Sequence, residues 1–170
     1  NVRAAQARRE WLRFQVLARG GITINDSEGK EMIAVDFGVP AGHKIDSSAL
    51  TGDPWNGSVP KPLSDLIEAC ETYYSTNDEM PDVILMRRAQ VKQIIGSGEV
   101  AGEFSDNATR IPLSVVNDYL VELGYPEIEV YDEFVRTEDS SGRPTVSEYL
   151  IPAGRILFIK RAAGQEIEDT

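Results

Sequence analysis

The sequence is poor in thiol and imidazole groups. Its 170 residues include one cysteine, Cys70, and one histidine, His43. A single cysteine excludes a disulfide framework and a cysteine-based zinc site, and a lone histidine leaves histidine-paired catalysis without a second partner. No apolar run approaches the roughly 20 residues of a membrane span, and no secretory leader pattern opens the chain. These absences lead to the expectation of an intracellular protein. Basic residues are scarce too: 17 Lys and Arg stand against 28 Asp and Glu, a formal net charge of −11. Nucleic-acid affinity depends mainly on basic charge, so direct nucleic-acid binding is disfavoured.

The acidic balance is uneven. Residues 1–20 hold Arg3, Arg8, Arg9, Arg13 and Arg19 against Glu10, a local charge of +4, which leaves −15 on the rest. A solvated or salt-bridged helix face is the favoured reading of that basic stretch. What is present in normal measure is hydrophobic residues, 41%, with 26% charged. Those are globular values, and the length suffices for one domain or a little more with a proper core. The first residue is not Met and falls inside a helical pattern, so a fragment or processed product is expected.

Periodicity gives the elements. Ala4, Ala7, Trp11, Phe14 and Ala18 recur on one helical face, and Gly20-Gly21 stops that helix. A β-hairpin follows at 22–37, with Ile33, Val35 and Phe37 on one side of its second strand and Ala34 and Asp36 on the other. Residues 38–61 form a long Gly- and Pro-rich connection around Trp55. Pro62 opens a helix whose buried stripe is Leu63, Leu66, Ile67, Cys70 and Tyr74, which makes Cys70 a packed thiol rather than a nucleophile. A short apolar strand at 81–86, a helix ending at Gly96 and a loop over 97–110 come next. Pro112 opens a helix with Leu113, Val116, Leu120 and Leu123 inward and Gly124 as its stop. A strong strand at 127–136, a return strand to Ile151 and a last strand at 155–160 complete an α+β order without internal repeats.

Each possible site has a plainer explanation beside it. Asp36-Phe37-Gly38 matches the magnesium-holding tripeptide of kinases, but neither a glycine-rich loop on a strand nor an H-R-D loop precedes it, and the match is empty. The glycines of 96–102 follow a helix, whereas a dinucleotide fingerprint sits at a strand-to-helix turn; a surface loop is the expected role. Glu127, Glu129, Asp132 and Glu133 are close in sequence and offer the alternative of a small enzyme or ligand-binding domain using a divalent metal. An exposed strand face is the favoured reading. Arg87-Arg88, after a strand, reads as a surface salt-bridge pair or an anion contact, and no G-x-S-x-G elbow accompanies His43.

Several pieces in order resemble one family. They are "RREWLRFQVLARGGITI", "IAVDFGVP", "DPWNGSVPKPLSDL", and "GYPEIEVYDEFV" with the later "SGRP" and "YLIPAGRILFI". Together, over about residues 8–160, they resemble the major head protein of lambda-type tailed bacteriophages, the phage major capsid protein E family, in a prophage-encoded fragment. The resemblance implies a Hong Kong 97-type capsid fold. It places the end of the spine helix and the hairpin of a peripheral domain at 1–55, an axial domain at 56–151, and a return segment and tail at 152–170. It implies a structural subunit, not an enzyme, without cofactor or metal, that self-assembles into pentamers and hexamers of a head enclosing double-stranded DNA. Implied partners are other copies of the chain and the portal, scaffold and decoration proteins. The implied location is the virion capsid, reached from the bacterial host cytoplasm. The family's N-terminal arm, extended loop and a C-terminal portion have no counterpart here, so the expectation is a core that does not assemble by itself. Trp55, Arg87 and Arg88 are the candidate intersubunit residues, and 97–110 and 137–144 the candidate contact loops.

Overall fold

The computed structural model describes residues 2–25, 28, 30–45, 50, 54–104, 111–138 and 144–161. The chain divides into two compact units. Unit 1 comprises 1–44 and 131–157, and unit 2 comprises 45–130 and 158–170. The stretch 131–151, grouped with the axial part on sequence, lies in the same unit as the first helix.

Unit 1 begins with α1, Val2–Arg19. Phe14, Gln15 and Ala18 are buried and Trp11 half-buried, while Ala7 is exposed, so over residues 5–19 the buried face lies in the second half of the helix. Gly20 ends it with φ 73°, its N–H donating to the carbonyl of Val16 at 2.7 Å. A left-handed residue at this point satisfies an orphan carbonyl without a Cβ clash. The hairpin follows at once as β1, Gly21–Asn25, and β2, Glu31–Asp36. Gly21 pairs with Asp36 and Ile24 with Ile33. The Oδ1 of Asp36 accepts the N–H of Gly38 at 2.9 Å, and Gly38 sits at φ 63°. The Asp-Phe-Gly tripeptide is thus a side-chain-closed turn at a strand end. A single 3-10 turn, η1, Ala41–His43, comes next.

Unit 2 opens with α2, Pro62–Asn77, started by Pro at its first position and ended by Asp78 in the left-handed region. Leu63, Leu66 and Cys70 are buried as the periodicity requires and Ala69 joins them, whereas Ile67 is only half-buried and Tyr74 is 49% exposed because the stripe runs off the core there. Then come β3, Val83–Met86, and α3, Arg88–Ile95. The expected loop at 97–110 is corrected in part: Gly98–Phe104 is a helix, α4, with Val100 fully buried, and 105–110 lie outside the described residues. Ser97 provides the start, since its hydroxyl accepts the N–H of Val100 at 3.2 Å. Two glycines hid this short helix from a propensity reading. The helix α5, Leu113–Glu122, buries Val116 and Leu120 but leaves Leu123 49% exposed.

The single strand expected at 127–136 is two. β4, Ile128–Val130, runs parallel to β3, both in unit 2; the strand order is β4-β3-β7, where β7 is Ile156–Ile159, of which Phe158 and Ile159 fall in unit 2. β5, Phe134–Glu138, pairs antiparallel with β6, Pro144–Tyr149, in unit 1. Between them Tyr131 leaves the ladder and its ring stacks on Phe14, with centroids 4.7 Å apart. Tyr131 is the first residue of this segment of unit 1, so the stack lies just past the point where the chain changes units. The core of unit 2 includes Leu66, Ile84, Met86, Ile94, Val116 and Leu120, each at most 2% exposed.

Candidate functional site

The residues singled out on sequence do not converge on a catalytic centre. Trp55 is half-buried and spends its indole N–H on Oδ2 of Asp65, at 2.7 Å, within its own unit. Asp65 itself is buried, so the pair fixes the long connection onto α2. Arg87 is half-buried at the residue before α3, and Arg88 is exposed on the first turn. His43 is exposed on η1.

The carboxylates of 127–133 are divided by the unit boundary: Glu127 and Glu129 belong to unit 2, Asp132 and Glu133 to unit 1. Glu129 accepts from the Arg161 guanidinium at 2.7 Å, an exposed ion pair. Among the described residues no three His, Cys, Asp or Glu side chains gather to hold a metal ion. Strand alternation could not reveal this, because it assumed one strand where the chain changes partners.

Cys70 is buried on α2, and burial pushes its thiol up to about 12, with the Glu71 charge adding to the effect. A thiol held protonated is a packing group, not a nucleophile. Tyr131 is likewise pushed up to about 12, first by burial and then by the charges of Glu10 and Glu133.

Two polar constellations were missed on sequence. In unit 2 the Glu99 carboxylate of α4 closes the start of α2. It accepts the backbone N–H of Leu63 at 2.7 Å and of Ser64 at 3.1 Å, and also the Ser64 hydroxyl. The usable signal was Ser97, an N-cap residue with an acid two positions later. In unit 1 Glu148 of β6 faces three residues of α1. It accepts from the Trp11 indole at 3.2 Å and, at 3.5 Å, from Gln15 and Arg19. Their i, i+4, i+8 spacing was readable, but nothing local pointed to a carboxylate more than a hundred residues away. Both constellations hold structure; neither offers an open reacting position.

Surface, rather than a cleft, is where unit 1 is unusual. Ile33, Val35 and Phe37 of the first hairpin are 49%, 42% and 53% exposed. Phe134 and Tyr149, across β5 and β6, meet edge-on at 6.0 Å and are also exposed. No helix among the described residues is long and apolar enough to cross a membrane.

Comparison with known proteins fits this picture. No curated protein is matched by sequence. Among solved structures the chain is similar to a protein assigned as the capsid protein of a prophage of E. coli CFT073, with a TM-score of 0.53 at 17% identity. The likeness covers 86% of this chain and 42% of that one, so the chain spans less than half the length of its solved neighbour. At that identity the fold is what is shared: mixed helix and sheet, as in a phage capsid protein. The family profile described as phage major capsid protein E matches residues 1–168, and the chain belongs to that family.

Proposed function

We propose that this protein is a structural subunit of a phage head, assembling with copies of itself into pentamers and hexamers around double-stranded DNA. The observation that carries the reading is the family match over residues 1–168. The internal geometry is consistent with it, since the part-buried carboxylates Glu99 and Glu148 cap a helix and tie elements together. In the corresponding assignment the fold is of the Hong Kong 97 type. Then α1 is the end of the spine helix, unit 1 with its hairpin is the peripheral part, and unit 2 is the axial part around the capsomer centre. Portal, scaffold and decoration proteins are the further partners. The working location is the virion shell, with the host cytoplasm before and during assembly. A net charge of −11 suits a container wall that must not grip its packaged DNA.

The test is sedimentation velocity of the purified chain, with negative-stain imaging of any fast species. Rings of five or six, or closed shells, are the expected products, and they would overturn the expectation drawn from the sequence of a core that does not assemble by itself. A monomer at every concentration and salt reached would remove the self-assembly reading for this chain.

A further inference from the structure

Two features of unit 1 combine. The first is the hairpin. Its register sets Ile22 opposite Val35 and Ile24 opposite Ile33, so these side chains share a face, which Phe37 extends two residues past Val35. The strands β1 and β2 form a sheet of two, which is marginal unless its apolar face is covered. Here the second strand is exposed along its whole length. A contiguous apolar face of this kind marks an interaction surface.

The second feature is charge. Unit 1 contains 10 basic and 10 acidic residues and is neutral. Unit 2 contains 7 basic and 18 acidic residues, so it carries the entire −11. Within unit 1, Arg9, Arg13 and Leu17 recur at i, i+4 and i+8 and are exposed, away from the buried Phe14 and Ala18. The only ion pair described for Arg13 is a loose one at 3.8 Å to Glu10, with both groups well exposed. This distribution selects the partner. Two acidic second units repel one another, as do two arginine stripes, whereas the stripe of one copy and the acidic unit of another attract.

We propose that unit 1 is a docking surface for a second copy of this chain, which covers the face of Ile33, Val35 and Phe37 while the arginines of α1 meet its acidic unit. The contact is heterologous, with different surfaces used on the two copies. Such contacts propagate into rings or arrays instead of stopping at a two-fold dimer. The inference rests on the self-assembly reading above and adds to it the surface and its polarity.

The experiment is sedimentation velocity of the whole chain as a function of salt, for the wild type and two variants. One is Ile33→Thr/Val35→Thr/Phe37→Ser, which keeps β-forming residues in the strand; the other is Arg9→Glu/Arg13→Glu. The wild type is expected to associate beyond the dimer and to weaken with added salt. Each variant is expected to raise the dissociation constant about tenfold or more. An environment-sensitive dye on Val35→Cys gives an independent readout, since Cys70 is buried; its emission should shift to the blue on association. Variants that associate like the wild type, or a dye that does not shift, overturn the surface while leaving self-assembly intact. Association that stops at a dimer overturns the heterologous contact. Association that needs added duplex DNA overturns the choice of partner, and a wild type that stays monomeric overturns both this inference and the reading beneath it.

Discussion

The Glu99 carboxylate and the backbone N–H of Leu63 lie 2.7 Å apart, so a short helix caps the start of a long one. The first turn of α2 has no side-chain cap of its own, because Lys61 occupies the N-cap position and cannot accept a hydrogen bond. Glu99 supplies both the acceptor and the negative charge that a helix N-terminus favours. Glu99→Ala should therefore lower stability by about 1–2 kcal/mol. Urea unfolding checks this, with Ser64→Ala as a milder companion that loses the hydroxyl but retains both backbone bonds. An unchanged midpoint for Glu99→Ala would mean that solvent caps α2 equally well.

Glu148 presents a different balance. Its bonds to Gln15 and Arg19 are at the 3.5 Å limit, and the Arg19 pair is exposed, so these two add little directly. Gln15, however, is 3% exposed, and a buried amide stripped of its acceptor costs the desolvation of that group. Glu148→Ala is expected to destabilise unit 1 by about 1–3 kcal/mol and to change Trp11 fluorescence. Trp55 is held by Asp65 in the other unit and reports separately. Hydrogen exchange should show faster opening across α1 and β6 with α2 unaffected.

These constellations explain what the sequence could and could not reveal. Stripes at helical spacing were legible where a helix runs along the core: Leu63, Leu66 and Cys70 on α2, Val116 and Leu120 on α5. They failed at the ends, at Tyr74 and Leu123, where the periodicity continues past the core. The Gly20 stop and the end of the hairpin's second strand near Asp36 were legible because both depend on neighbours in sequence, although the side-chain closure of the Asp36 turn was not read. The division of 127–136 was not, because the chain leaves one sheet and enters another while the strand propensity is unbroken. Glu99 and Glu148 were missed since their partners are distant in the chain. The candidate contacts Trp55, Arg87 and Arg88 were chosen by residue type alone, and Trp55 has an internal partner that type cannot disclose.

Truncating a fully buried residue should cost far more than truncating an exposed one. Ile94 on α3 is fully buried, in the same core as Ile84, Met86 and Val116. Ile94→Ala removes buried methyl groups and leaves a cavity, a loss of about 2–5 kcal/mol. Leu123→Ala, at an exposed position of the neighbouring segment, should cost less than about 0.5 kcal/mol. Thermal unfolding of the two variants side by side measures the contrast. Equal shifts would mean that the exposed leucine is covered by something, as it would be in an assembled state.

Rising pH should lower the stability of the protein. Cys70 and Tyr131 are held protonated mainly by burial, and Tyr125 mainly by donating its hydroxyl to Glu71 at 2.6 Å; all three are pushed up to about 12. In the unfolded chain these groups ionise near their ordinary values, about 8.5 for the thiol and 10 for the phenols. Between those values and about 12 the unfolded state releases protons that the native state retains, so rising pH favours unfolding. Their stabilisation is complete below about pH 8.5 and is lost progressively as pH climbs toward the native values. Urea midpoints at pH 8, 9.5 and 11 should fall, and Tyr131→Phe should flatten the decline because it removes a buried ionisable group while keeping the stack on Phe14. Tyr125 is close to solvent, so Tyr125→Phe should change the slope less. Iodoacetamide at pH 9 provides the companion measurement on Cys70. Native protein should label only as fast as it unfolds; rapid labelling would show that the thiol is reached, and ionised, without unfolding.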